Sequence, residues 1–162
     1  MSSRPVLALA LTAAALLAPA AHAAPAWRTT LAGAPFAAAG TGTVTFEADG
    51  PALASSAFVR PGSVTLHPAG GGPLVLRCAG VVRPLARCAR LGRSAADVQR
   101  WTILRPVRFL YEGTDFRLTV SSSRGFRLLV VGDGRVSLRG AGRWSLGGPA
   151  TPYLGGARVE LR

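Results

Sequence analysis

The chain has no lysine, two cysteines, two histidines and one methionine, and its seven acidic residues stand against nineteen basic ones, all of them arginine. These shortages remove most catalytic and metal chemistry. Structural zinc takes four nitrogen or sulfur ligands, whereas beyond residue 23 the chain offers Cys78, Cys88 and His67 alone besides its carboxylates. Calcium needs a run of alternating oxygen ligands, which the sequence lacks. A serine nucleophile needs an oriented base and, in one common design, a Gly-x-Ser-x-Gly elbow. No such elbow is present, and His67, followed by Pro68 and a glycine-rich turn, reads as a solvated strand-end residue. Carboxylate pairs are equally scarce: Glu47 with Asp49, and Glu112 with Asp115 across Gly113-Thr114. Glycosidic chemistry requires two acids facing across a cleft, whereas acids in a segment of this kind make turns and pair with arginine. The clusters Gly70-Gly71-Gly72, Gly147-Gly148 and Gly155-Gly156 lack the Lys-Ser/Thr continuation of a phosphate loop. The expectation is a chain with no catalytic residue, no metal ligand and no cofactor.

Long apolar runs are also missing, with one exception at the start. Arg4 precedes an apolar stretch from Val6 to Leu17, followed by Pro19 and Ala21-His22-Ala23. A basic start, a core too short to span a bilayer and small residues three and one places before the break mark a cleaved secretory signal. The reading is a signal peptide over 1–23 and a single secreted domain over 24–162, with no transmembrane span, no cysteine placed for a lipid and no wall-sorting tail. The compartment follows: periplasm, cell surface or medium. There Cys78 and Cys88 are expected to form a disulfide closing a loop of about ten residues, stabilising by roughly 2 to 3 kcal/mol.

What remains is mostly alternation and glycine. Gly42-Thr43-Val44-Thr45-Phe46, Gly62-Ser63-Val64-Thr65-Leu66 and Gly134-Arg135-Val136-Ser137-Leu138 share one pattern, with Gly142-Arg143-Trp144-Ser145-Leu146 as a variant. Apolar and polar residues alternate in each, as in half-buried strands. Phe116–Val120 and Phe126–Val130 echo each other across a Ser-Ser-Ser-Arg-Gly segment, and Asp133-Gly134 follows, so both places predict hairpin turns. The segment from Arg105 to Leu146 therefore reads as a meander of four or five antiparallel strands. Further strands are expected at 43–48, 57–60, 63–67, 74–78 and 158–161. Ser94-Ala95-Ala96-Asp97 has the form of a capping box and predicts a two-turn helix that packs Val98 and Trp101 on the sheet. Strands at this spacing predict an all-β fold, an antiparallel β-sandwich with one short helix. The alternative, a β-solenoid, needs a steady period, and copies starting at 42, 62 and 134 do not keep one.

The formal charge is +12, and cleavage after residue 23 removes only Arg4 among the charged side chains. The lack of lysine is a codon effect of a GC-rich genome; the excess of base over acid is not, because such codons also supply Asp and Glu. The densest stretch, Arg77 to Arg108, carries one acid, Asp97. The candidate anion-binding residues are Arg77, Arg83, Arg87, Arg90 and Arg93 around the cysteine loop. Arg117, Arg135 and Arg139 join them, because strand alternation turns these outward when Phe116, Leu118, Val136 and Leu138 face the core. Guanidinium forks grip phosphate and sulfate bidentately. The rival reading is a solvated face whose charges block edge-to-edge pairing. Specific nucleic-acid binding is not expected, since it needs outward aromatics beside the base-rich surface and the Trp and Phe positions mostly fall in the apolar phase.

From Phe126 to Gly148 the glycine-punctuated segment, with Gly132-Asp133-Gly134-Arg135-Val136 and Trp144-Ser145-Leu146-Gly147-Gly148, resembles the close of small secreted β-rich proteins of GC-rich bacteria. That family carries no established activity, so the resemblance implies export and strands and transfers no functional residue. The expected role is a non-catalytic envelope or extracellular module contacting polyanions: wall polymer, acidic polysaccharide or anionic lipid. Two alternatives remain open. One is a self-associating structural protein; the other is an enzyme of unrecognised type, which would show His67, or Glu112 and Asp115, converging in a deep cleft.

Overall fold

The computed structural model describes residues 33–68, 98–162 and, between them, the strand backbones at 70–71, 75–78, 81–82 and 89–91. The expected signal, Cys88, Arg83, Arg87, Arg93 and the capping box lie outside these residues. Ten strands form one antiparallel sheet: β1 (Phe36–Val59), β2 (Gly62–His67), β3 (Gly70–Gly71), β4 (Val75–Cys78), β5 (Val81–Val82), β6 (Ala89–Leu91), β7 (Gln99–Ile103), β8 (Val107–Thr114), β9 (Arg117–Leu146) and β10 (Thr151–Leu161). Their order is β5-β4-β8-β1-β9-β2-β7-β6, with β10 on β9 and β3 on β8.

Strands usually run three to ten residues; β1 has 24 and β9 has 30. Such lengths fit a small domain only if the strands coil, and the register shows that they do. Glu47 of β1 pairs with both Arg117 and Arg135 of β9, so β9 returns to the opposite edge of β1 eighteen positions later. Val130 likewise lies between Phe36 and Ala54. The right-handed coil of the strands thereby curls one sheet into a nearly closed, barrel-like form, in place of the two facing layers expected. The antiparallel pairing throughout also departs from the stacked coils of a solenoid.

Glycine permits this curvature. The glycines heading the four repeats, Gly42, Gly62, Gly134 and Gly142, each sit where a Cβ would collide with a facing carbonyl oxygen, of Arg139, Ser121, Glu47 and Ala39 respectively. The repeats are therefore close-approach points followed by alternation, and two of them face each other: Val44 pairs with Leu138 and Phe46 with Val136. The inward side chains make one core, in which Phe116 meets Phe46 and Tyr111 edge-on at 5.5 and 4.7 Å. On the outer face hydroxyls pair across strands, Thr43 with Ser121 at 3.0 Å and Thr45 with Thr119 at 3.2 Å.

Two local expectations are corrected. The predicted hairpins do not form, because 117–146 is a single strand whose long partner is β1 on both edges. Ser122 explains how a serine-rich segment stays in the sheet. Its buried hydroxyl donates to the Pro61 carbonyl (3.1 Å) and accepts from the N–H groups of Arg124 (3.2 Å) and Gly125 (3.1 Å), which the ladder leaves unpaired at a bulge. The expected helix is absent from the described residues, and Gln99-Arg100-Trp101 is strand β7. Trp101 still reaches the core, 2% exposed, but from the sheet itself.

Candidate functional site

Every arginine whose side chain the structure describes is exposed, while the described acids gather in one region. Glu47 takes up two of the sequence candidates, bonding Arg117 Nε at 2.8 Å and lying 3.8 Å from Arg135. Glu160 sits opposite Arg135 on β10. Asp115 is committed to a turn: its Oδ1 accepts from the Gly50 N–H (2.7 Å), its own N–H donates to the Gly50 carbonyl (3.1 Å), and its φ is +52°. Asp133 lies between Gly132 and Gly134, beside the same bend of β1, and Glu112 is buried opposite Leu53. His67 is exposed at the end of β2, opposite Arg117. His67, Glu112 and Asp115 thus lie opposite or against Arg117, Leu53 and Gly50 respectively. Among the described residues no cluster of three His, Cys, Asp or Glu could hold a metal ion.

Among the described residues, the opposite region of the sheet carries arginines without acids. Arg143 of β9 pairs with Ala39 of β1, Ala39 with Arg127 of β9, and Arg127 with Phe58 of β1. Ser56 pairs with Phe109 and Val59 with Val107, so Ala57 and Phe58 together oppose Arg108, and Arg108 pairs with Arg77 of β4. One row across the strands thus reads Arg143, Ala39, Arg127, Phe58, Arg108, Arg77.

The middle of the row is built from below. Ser56, 6% exposed, donates to the Arg127 carbonyl at 2.8 Å. Ser122 organises the bulge that carries Arg124. The Arg60 N–H donates to the Gly125 carbonyl (3.0 Å) and its guanidinium reaches the Arg124 carbonyl (3.4 Å). Arg60 and Arg127 both lie over the Phe58 ring, 5.6 and 5.7 Å from its centre. Buried serines beneath and an aromatic ring between hold two guanidinium groups in place without a carboxylate.

A second feature lies on β9 and β10. An open trough of about 420 Å³ runs between Arg139 and Arg158, floored by Ser137 and Leu138 and left empty by Gly155-Gly156. Of the sequence candidates, then, Arg139 borders this trough, Arg77 occupies the end of the arginine row, Arg90 is placed opposite Thr102, and Arg117 and Arg135 are tied to Glu47. Sequence reasoning missed Phe58, Arg60, Arg124, Arg127, Arg143 and Arg158. The signal was present in Phe58-Val59-Arg60-Pro61, where Phe58 breaks the inward alternation of Ala52, Ala54 and Ser56.

Comparison with known proteins returns nothing: no family model, no curated protein and no solved structure matches the chain.

Proposed function

We propose that this chain is an exported, non-catalytic β domain of the cell envelope or extracellular space that binds anionic polymers through its arginine-clad surface. One observation carries the reading: the described acids are confined to one region, where Glu47 meets Arg117 and Arg135, whereas another face presents Arg60, Arg124, Arg127 and Arg143 with no described carboxylate in register. A composition effect would scatter both signs alike. Guanidinium groups left unpaired by acids are available to phosphate or sulfate esters.

The test is retention of the chain from residue 24 onward on heparin and phosphocellulose across a salt series. Binding through many ester groups falls steeply with salt, with a log–log slope approaching the number of contacts. A flat slope, or no retention at low salt, removes the proposal.

The edge of β10 favours a second reading, self-association. Among the described residues β10 pairs with β9 alone, and Leu154 on it is 87% exposed. Sedimentation that stays monomeric at high concentration excludes it.

A further inference from the structure

Resting on the polyanion reading, the geometry points to a specific track. The row from Arg143 to Arg108 binds a linear polymer that lies across the strands, and the Arg60–Phe58–Arg127 assembly grips one tetrahedral oxyanion ester within it.

From Arg143 to Arg108 the row crosses four strand-to-strand steps, which at about 4.8 Å each is about 19 Å along the curved sheet. Arg143 and Arg127 are two steps apart, and so are Arg127 and Arg108, giving a cation about every 10 Å. Such an arrangement suits a chain with ester groups repeating along its length and has no use for a compact ion. The centre differs from the rest in being pre-ordered. The backbone of Arg127 is pinned by Ser56, that of Arg60 by Gly125, and both guanidinium groups rest on one ring, so little side-chain freedom is lost on binding. Phe58 is a positioning residue; the guanidinium N–H groups make the contact. The arrangement also selects against nucleic acid. The outward ring of this row is covered by two cations and is not free to stack on bases, which single-strand binding uses.

The experiment measures binding of the secreted chain to two probes, size-fractionated heparin and inorganic polyphosphate, by titration calorimetry at fixed moderate salt. Arg127→Gln and Arg60→Gln are each expected to weaken binding about tenfold, as for loss of a charge-assisted bidentate contact. Phe58→Leu keeps the charge and is expected to weaken it several-fold. Arg158→Gln, on the trough outside the row, is the charge-matched control and should change binding by less than about twofold. Affinity should rise with probe length up to the span of the row and then level off. Which probe binds more tightly separates phosphoryl from sulfuryl groups as the preferred anion.

Equal losses from all three arginine variants, or a silent Phe58→Leu in a protein whose thermal midpoint is unchanged, would overturn the track while leaving diffuse polyanion binding intact. Tighter binding of oligothymidylate than of polyphosphate of equal charge would overturn the polymer class in favour of single-stranded nucleic acid. Failure of the unaltered chain to bind either probe would remove the broader reading itself.

Discussion

Tyr153 illustrates how single residues set the curvature of this sheet. The ring is buried, and its hydroxyl lies where a Cβ on Gly40 or Gly142 would have to go. Two glycines thus make room both for a facing backbone and for one phenol. Gly142→Ala must displace either, and as overpacking of a closed site it is expected to cost about 2 to 3 kcal/mol, read as a lowered thermal midpoint. Burial also pushes the hydroxyls of Tyr111 and Tyr153 above the ordinary tyrosine value of 10.0. An acid whose folded pKa is raised favours the folded state below the unfolded value and loses that stabilisation as pH climbs past it. The chain has no other tyrosine. Absorbance titration of phenolate is therefore expected to place the ionisation of both tyrosines at higher pH in the folded protein than in the denatured chain. Independent ionisation of one tyrosine near 10 in a folded protein would contradict the packing. At the surface, Glu47 is the opposite kind of residue: 35% exposed, bonded to arginines 55% and 59% exposed, it contributes little to stability. Glu47→Gln should leave the midpoint nearly unchanged and raise the salt needed to elute the protein from heparin, because it frees Arg117 and Arg135.

At the level of strands, the alternation in the sequence was legible and the connections were not. Of the expected segments, 43–48, 63–67 and 158–161 fall wholly in strands, 57–60 does so as far as Val59 and 74–78 from Val75 onward, because one-sided burial leaves a period of two that composition cannot hide. Turn chemistry misled at both predicted hairpins. Gly132 and Gly134 do take positive φ, +124° and +143°, but they serve a bend within β9 where Ala52 and the Glu47 carbonyl come close, and the strand continues. Local sequence cannot distinguish a glycine that reverses a strand from one that lets it coil, since both need the same backbone region. The candidate site was invisible for a related reason. Its arginines are far apart in sequence, brought together by two bulges, and outward alternation alone could select Arg117, Arg135 and Arg139 but could not know that Glu47 lies between the first two. The bulges themselves are testable. Ser122→Ala strands the Arg124 and Gly125 N–H groups beside a buried position and is expected to cost about 1 to 3 kcal/mol. Faster hydrogen exchange should be confined to 122–127 and 58–61. A uniform change across β9 would mean that the serine supports the core and not the bulge.

For the whole molecule the decisive question is whether the arginines are an arrangement or a composition, and thermodynamic linkage separates the two. A ligand stabilises a fold only to the extent that it binds the native state better than the unfolded one, by RT ln(1 + [L]/Kd) when the unfolded chain does not bind, about 2.7 kcal/mol at a hundredfold excess over Kd. Here the unfolded chain carries the same nineteen arginines and the same +12 charge less its signal. A polyanion attracted by charge alone would bind both states alike and leave the thermal midpoint where it was. A polyanion that reads the row from Arg143 to Arg108 finds its anionic groups matched only in the folded sheet, where Phe58 has already fixed Arg60 and Arg127. Saturating heparin is therefore expected to raise the midpoint by about 5 to 10 °C for a domain of this size. Arg127→Gln should lose most of that rise, and Arg158→Gln should keep it. An unchanged or lowered midpoint in a protein that nevertheless binds heparin would assign the attraction to net charge, and the segregation of acids from arginines would then have no part in recognition.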